Sequence, residues 1–191
     1  MSNSFSDFFF KDLALHNSGE RKYMTDKGDT HNYIRGYYND EFSNLQYAPI
    51  KLLEIGLAYC GSAKLWRDWF VNAEISVIEY DAGLIKEIEG VNITLASAYE
   101  QQTLDMYADN HFDYIIDDGP HTLESQIYSV ENWIHKVKDG GKLIIEDIAS
   151  TEALQELIKH TNYPYKIVDL RQSAPNRFDD LILEITKIKT E

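Results

Sequence analysis

Lys51-Leu-Leu-Glu-Ile-Gly-Leu-Ala-Tyr-Cys-Gly-Ser62 is the stretch from which the rest of the chain is read. Leu52, Leu53 and Ile55 form an apolar run long enough for a buried strand, and Glu54 interrupts it just before Gly56. A loop bounded by Gly56 and Gly61 follows. Gly56 permits a sharp turn and a close backbone approach to a ligand, and Gly61 permits a positive φ where a helix begins. Ser62-Ala-Lys-Leu-Trp-Arg-Asp-Trp-Phe70 then reads as that helix, with Ser62 as its N-cap. Strand, glycine turn and helix are how an α/β sheet opens a nucleotide-binding site, although tight turns without ligands also use glycine.

The spacing separates ligand classes. A dinucleotide fingerprint requires G-x-G-x-x-G, with the pyrophosphate on the helix N-terminus. Ala58 stands at the middle glycine position and crowds the backbone where a diphosphate would lie. Glu54 adds negative charge beside the turn, which suits a cationic or amine-bearing ligand better. The stretch resembles the first motif of the class I S-adenosylmethionine (SAM) methyltransferases. It keeps Glu54, Gly56 and Gly61 and departs at Ala58 and Cys60.

With 191 residues and 43% hydrophobic content, the chain suits a single domain with a full core. Residues 1–50 read as an N-terminal helical cap and substrate segment, and 51–191 as the sheet-bearing core. No apolar run approaches the ~18 residues of a transmembrane helix, and the N-terminus lacks the basic start and apolar region of a signal peptide. Cys60, the one cysteine, has no internal disulfide partner, which fits a cytoplasmic protein. It reads as a small residue filling the turn rather than as a nucleophile. The net charge of −14 and the scattered Lys and Arg disfavour a nucleic-acid partner. A homo-oligomer is left open.

Residues 5–18 are aromatic-rich and read as a short amphipathic helix. The polar turn Met24–Tyr33 brings Asp26, Lys27, Thr30, His31 and Tyr33 together beside Tyr37 and Tyr38, as a binding lip or a solvated loop; 34–42 reads as a helix. Strands are predicted at 51–56, 75–79, 92–96, 112–117, 142–146, 165–170 and 180–188. Helices are predicted near 62–70, 81–89, 101–107, 122–137 and 151–161. That alternation indicates a doubly wound, mostly parallel sheet. Only Arg171–Arg177 separates the last two strands, which suits an antiparallel hairpin. The expected fold is therefore the seven-stranded, Rossmann-like class I methyltransferase variant, not a dehydrogenase.

Ligands in such sheets lie along the carboxyl ends of the strands. The second strand ends at Glu79, Tyr80 and Asp81; Glu79 is placed to accept ribose hydroxyls and Asp81 to cap the next helix. Ser97 and Ala98, after the third strand, are adenine-side candidates by position. The fourth strand ends at Asp117 and Asp118, followed by Gly-Pro-His121, and the fifth at Glu146 and Asp147. Adjacent parallel strands lie ~5 Å apart, so Asp118, Glu146 and Asp147 converge. Crowded carboxylates repel unless a cation sits among them, and neither strand end carries Lys or Arg beside its acids. Oxygen ligands suit Mg²⁺, with Mn²⁺ or Ca²⁺ as alternatives. Asp117 either caps the next helix or bonds amides of the turn. His121 beside the metal has the chemistry of a general base for a hydroxyl.

At Ile116-Asp-Asp-Gly-Pro-His-Thr-Leu-Glu-Ser-Gln126 and Gly140-Gly-Lys-Leu-Ile-Ile-Glu-Asp147, the chain resembles the metal-dependent sugar O-methyltransferases of macrolide biosynthesis, mycinamicin type. Thr25-Asp-Lys-Gly-Asp-Thr-His-Asn-Tyr33 resembles the same family, and the similarity spans roughly residues 23–148. The resemblance implies Mg²⁺ at Asp118, Glu146 and Asp147, His121 as base, and the segment from Lys27 to Tyr33 near cofactor and substrate. It implies methylation of a sugar or polyol hydroxyl. Two alternatives stand beside it. One is a catechol-type O-methyltransferase whose pocket walls come from Tyr37, Tyr38 and Trp66. The other is a SAM-binding module without catalysis, to which Ala58, Cys60 and Ser97 point.

Overall fold

The structure is a computed structural model, and it describes residues 4–15, 22–28, 30–173 and 178–189. Seven strands form one sheet: β1 (Lys51–Ile55), β2 (Glu74–Glu79), β3 (Val91–Leu95), β4 (Phe112–Asp117), β5 (Val137–Ile145), β6 (Tyr165–Asp169) and β7 (Leu181–Thr186). Their order is β3-β2-β1-β4-β5-β7-β6. The pairs from β3 to β5 are parallel, and β7 runs antiparallel between β5 and β6. The doubly wound sheet with an antiparallel final strand is as the sequence predicts.

Both faces of the sheet are covered, which is why its central strands read as continuous apolar runs. Successive residues alternate between two cores. Leu53, Ile115, Leu143, Ile145 and Leu183 face one core, with α5 (Leu123–Asn132) and α6 (Thr151–Lys159). Leu52, Ile116, Ile144 and Ile182 face the other, with α1 (Phe5–Leu15), α2 (Asn39–Phe42) and α3 (Gly61–Trp69). The second core is aromatic: Phe5 stacks on Trp66 with centroids 5.7 Å apart, and the Trp69 indole donates to the Phe42 carbonyl at 3.0 Å. The N-terminal segment therefore covers one sheet face.

Several boundaries differ from expectation. No helix forms over 81–89; instead Asp81 accepts from the Gly83 amide at 2.8 Å, closing a turn, and Gly90 takes φ 78°. The β-branched Ile85 and Ile88 and the glycines at 83 and 90 disfavour a helix there. The helix predicted at 101–107 is the single turn α4 (Gln101–Leu104). α5 ends at Asn132, one 3₁₀ turn follows (Trp133–Lys136), and β5 starts at Val137, five residues earlier than read. The segment 34–42 is helical but opens with a π turn, Ile34–Tyr38, before α2. The predicted tail of the first helix at 16–18 and residues 174–177 of the hairpin loop lie outside the described residues. Among the described residues, no helix is long and apolar enough to cross a membrane.

The glycine loop also differs in detail. α3 starts at Gly61 with Cys60 as its left-handed cap (φ 65°), so Ser62 lies inside the first turn and does not cap it. The positive φ values belong to Gly56, Ala58 and Cys60, not to Gly61. Gly61 is needed for space: a Cβ there would lie 1.9 Å from the Met24 carbonyl oxygen. Gly56 is needed for both reasons, with φ 98° and the Asp118 carbonyl 2.2 Å from where its Cβ would be.

Candidate functional site

A cavity of about 420 Å³ opens over the carboxyl ends of β1, β2, β3 and β4. Its volume is that of a small-molecule site. Of the residues expected to bind cofactor, Gly56, Ala58, Glu79, Tyr80, Ser97 and Ala98 line it, and Asp118 lines it as well. Leu57, Leu84, Tyr99 and Pro120 also line it and were not foreseen. Tyr99 follows Ala98 directly, so its position carried a signal. Glu79 is buried and ties the loop together: Oε2 accepts from the Leu57 amide and Oε1 from the Asp81 amide, both at 2.9 Å.

The other expected cofactor residues do not line the cavity. Ser62 donates to Glu54 Oε2 at 2.9 Å inside the protein. Asp117 is buried, accepting from the Tyr99 hydroxyl at 2.8 Å and the Gly119 amide at 3.2 Å, so it bonds the turn as one reading of the sequence had it. Gly61 packs on Met24. Glu54, Lys27 and Tyr33 are buried in the carboxylate cluster beyond.

That cluster holds the cation missing from the two strand-end motifs. Lys27, 1% exposed, donates to Asp118 Oδ2 at 2.6 Å, makes a short contact to Glu146 Oε2, and lies 3.6 Å from Glu54 Oε1. One ammonium thus joins the ends of β1, β4 and β5. Around it, Tyr38 donates to Glu146 Oε1 at 2.7 Å and Tyr33 to Asp147 Oδ1 at 2.5 Å. His31 Nδ1 pairs closely with Asp180 and lies 3.6 Å from Asp147. Of the Met24–Tyr33 segment, Lys27, His31 and Tyr33 are interior, drawn in by buried carboxylates, while Met24, Asp26 and Thr30 are exposed. Tyr37, Tyr38 and Trp66 are also buried and do not line the cavity, which removes the walls proposed for a catechol pocket.

Asp118, His121 and Asp147 do come together, each offering a ligand atom within 4.8 Å of the others. His121 Nε2 is 3.8 Å from Asp118 Oδ1 and 3.4 Å from Asp147 Oδ2. His121 and Asp147 both hold left-handed backbone, φ 56° and 53°. Non-glycine residues adopt it at a cost that surrounding structure must offset. Glu146, expected with the metal ligands, is set apart because Lys27 and Tyr38 engage both its oxygens.

Burial and mutual repulsion set the electrostatics. Burial pushes Glu54 up to about 7 against the opposing pull of Lys27. It raises Asp117 and Asp118, and carries Glu146 well above the carboxylate range. Burial works against the Lys27 charge, but Asp118, Glu146 and Glu54 outweigh it and hold its pKa well above normal. Five acids (Glu54, Asp118, Glu146, Asp147 and Asp180) thus meet one lysine and two histidines. The excess of negative charge and the outward oxygens of Asp118 and Asp147 fit a divalent cation.

No profile of a known protein family matches the chain. It is 26% identical over 136 residues to the 8-demethyl-8-(2-methoxy-alpha-L-rhamnosyl)-tetracenomycin-C 3'-O-methyltransferase of Streptomyces olivaceus, covering 66% of this chain and 35% of that protein. It is 24% identical over 136 residues to the demethylmacrocin O-methyltransferase of Streptomyces fradiae, covering 66% and 34%. The chain thus spans about a third of the length of the curated relatives it matches. Among solved structures it superposes on the MycE methyltransferase from the mycinamycin biosynthetic pathway in complex with Mg and SAH, with TM-score 0.66, 21% identity and coverage of 93% of this chain and 55% of that one. The fold is that of the class I methyltransferases. The same methyltransferase fold aligns with Aeropyrum pernix fibrillarin carrying natively bound S-adenosyl-L-methionine, at TM-score 0.59, 16% identity and coverage of 74% and 68%.

Proposed function

We propose that the chain carries a SAM-dependent O-methyltransferase site acting on a hydroxyl of a sugar, polyol or related small molecule. The observation that carries this is one continuous arrangement. Asp118 lines the cavity together with Gly56, Glu79, Ser97 and Ala98, and it stands beside His121 and Asp147. Cofactor and acceptor chemistry thus meet at one residue. The likeness to two named O-methyltransferases, and to a fold solved with Mg and SAH, supports the same reading. A binder without chemistry gives no reason for a left-handed histidine facing both Asp118 and Asp147.

The roles follow from position. Glu79, inside the cavity and fixed by two amides, accepts ribose hydroxyls through its remaining lone pairs. Ser97, Ala98 and the exposed Tyr80 line the cavity where the base of the cofactor would lie. Glu54 lies outside the cavity lining, where it accepts from Ser62 and faces Lys27. A divalent cation, Mg²⁺ or Mn²⁺, at Asp118 and Asp147 would acidify an acceptor hydroxyl. His121 Nε2 is placed to take the hydroxyl proton, and SAM, when bound, would supply the methyl group for the acceptor oxygen. Because the methyl is intrinsically reactive, the residues chiefly position the partners and exclude water.

Calorimetric titration of SAM, SAH and NAD⁺ tests the reading. SAM and SAH should bind at micromolar levels and NAD⁺ should give no heat. Glu79→Ala should weaken SAH by about tenfold or more, the scale of a lost hydrogen bond to a charged group. Silence of both SAM and SAH would leave the site without its cofactor and end the methyltransferase reading.

A further inference from the structure

β6 closes one edge of the sheet and is paired on one side only, to β7. The phase of that pairing is fixed at its two ends. The Thr186 amide donates to the Pro164 carbonyl at 2.9 Å, and the Leu170 amide to the Asp180 carbonyl at 2.8 Å. Hydrogen-bonded pairs alternate along an antiparallel ladder. Lys166, Val168 and Leu170 therefore bond β7, while Tyr165, Ile167 and Asp169 turn their N–H and C=O groups outward. Among the described residues these outward groups meet no partner. Tyr165 and Ile167 stand opposite Ile185 and Leu183, on the sheet face that α5 and α6 cover, yet they remain 47% and 45% exposed. We infer that β6 pairs with β6 of a second copy of this chain, antiparallel about a two-fold axis at Ile167, so that two sheets become one.

The strand is complementary to itself. In that register Ile167 opposes Ile167 of the second copy, and Tyr165 opposes its Asp169, with two hydrogen bonds at each opposed pair. The isoleucines meet at the centre. Each tyrosine hydroxyl comes beside an Asp169 carboxylate whose charge Arg171 already offsets, at 2.9 and 2.6 Å. Such cross-strand pairs are the unit of sheet stabilisation. Charge points the same way. The chain carries −14, whereas Lys166 and Asp169 cancel within β6. The edge thus offers two acidic chains an approach with no like charges directly opposed. Natural edges are blunted by proline or lysine. Here Pro164 precedes the strand, and Lys166 lies on the face opposite Ile167, its ammonium 5.7 Å from the centroid of the Tyr37 ring. Across the axis Lys166 would oppose Val168, not another charge.

Sedimentation velocity over a concentration series of the full chain tests this, with amide hydrogen exchange read residue by residue. The wild type should pass from monomer to dimer with a Kd of about 10 µM, as suits a small interface. Above that concentration the amides of Tyr165, Ile167 and Asp169 should exchange slowly, and on dilution they should exchange fast. The Lys166 and Val168 amides, bonded to β7, should stay protected at both concentrations. Ile167→Lys places like charges directly opposite each other at the axis and should weaken the dimer by about tenfold or more. Ile167→Glu should do the same, and an equal mixture of the two variants should dimerise again, which misfolded variants could not do. A wild type that stays monomeric up to roughly 100 µM would overturn the inference and leave this edge to a strand of some other protein. A dimer that Ile167→Lys does not weaken, with the outward amides fast at every concentration, would overturn it by placing the interface elsewhere.

Discussion

At the scale of the residue, the site is a set of acids whose burial is offset by a few donors. Glu54 illustrates the consequence. Its folded pKa of about 7 lies above the ordinary value of 4.5, so the folded protein keeps a proton that the unfolded chain gives up. Stability from this group is greatest below about 4.5, falls as the pH rises towards 7, and is flat above that. The loss for this group alone is about 3 kcal/mol. Urea unfolding at pH 5 and pH 7.5 should therefore show a smaller decline for Glu54→Gln than for wild type; an equal decline would mean that Glu54 stays charged throughout. On the proposed function, His121 serves chemistry rather than stability. His121→Ala should cut kcat/KM by about 10²-fold at pH 7 and by less at pH 9, where the acceptor hydroxyl ionises more readily unaided. A loss independent of pH would remove His121 as the base. The acids were legible in sequence because they end apolar strand runs. Their counter-charge was not, because Lys27 is 91 positions from Asp118 and 119 from Glu146. No local pattern encodes such a pairing.

At the scale of the element, the loop between β1 and α3 is set by what approaches it from elsewhere. Gly56 and Gly61 were legible as requirements of a ligand turn. Their nearest constraints are instead the Asp118 carbonyl at the end of β4 and the Met24 carbonyl of the N-terminal segment. Gly61→Ala should therefore destabilise by roughly 3 kcal/mol or more, since backbone, not a flexible side chain, blocks the new methyl. Gly140→Ala is the comparison: its Cβ would meet nothing within 4 Å, so it should cost only about 1 kcal/mol for its left-handed φ of 84°. Equal denaturation midpoints for the two variants would show that α3 and the N-terminal segment separate easily. The strands were legible through alternation between two buried faces. The false helix at 81–89 arose because its apolar spacing says nothing of Asp81, which spends its carboxylate on the Gly83 amide.

At the scale of the whole molecule, the N-terminal segment is both wall and counter-ion. Phe5, Phe9, Tyr33, Tyr38 and Phe42 share a core with Trp66 and Trp69, and Lys27 ends among the strand tips. A chain shortened to begin at residue 48 should lose cooperative unfolding and bind a hydrophobic dye, having shed half an aromatic core and left buried acids without their lysine. A sharp thermal transition in the shortened chain would show the sheet to be self-sufficient. The overall sheet was legible because its rules are local and repetitive; the dual role of the first 50 residues was not, since aromatic clusters and polar turns carry no address. The same long reach governs how the protein is born. Lys27 leaves the ribosome 119 residues before Glu146, a wait of roughly 6–24 s at ~5–20 residues per second. Through that interval the nascent chain presents an aromatic segment and an unclaimed lysine, so the site closes late in synthesis.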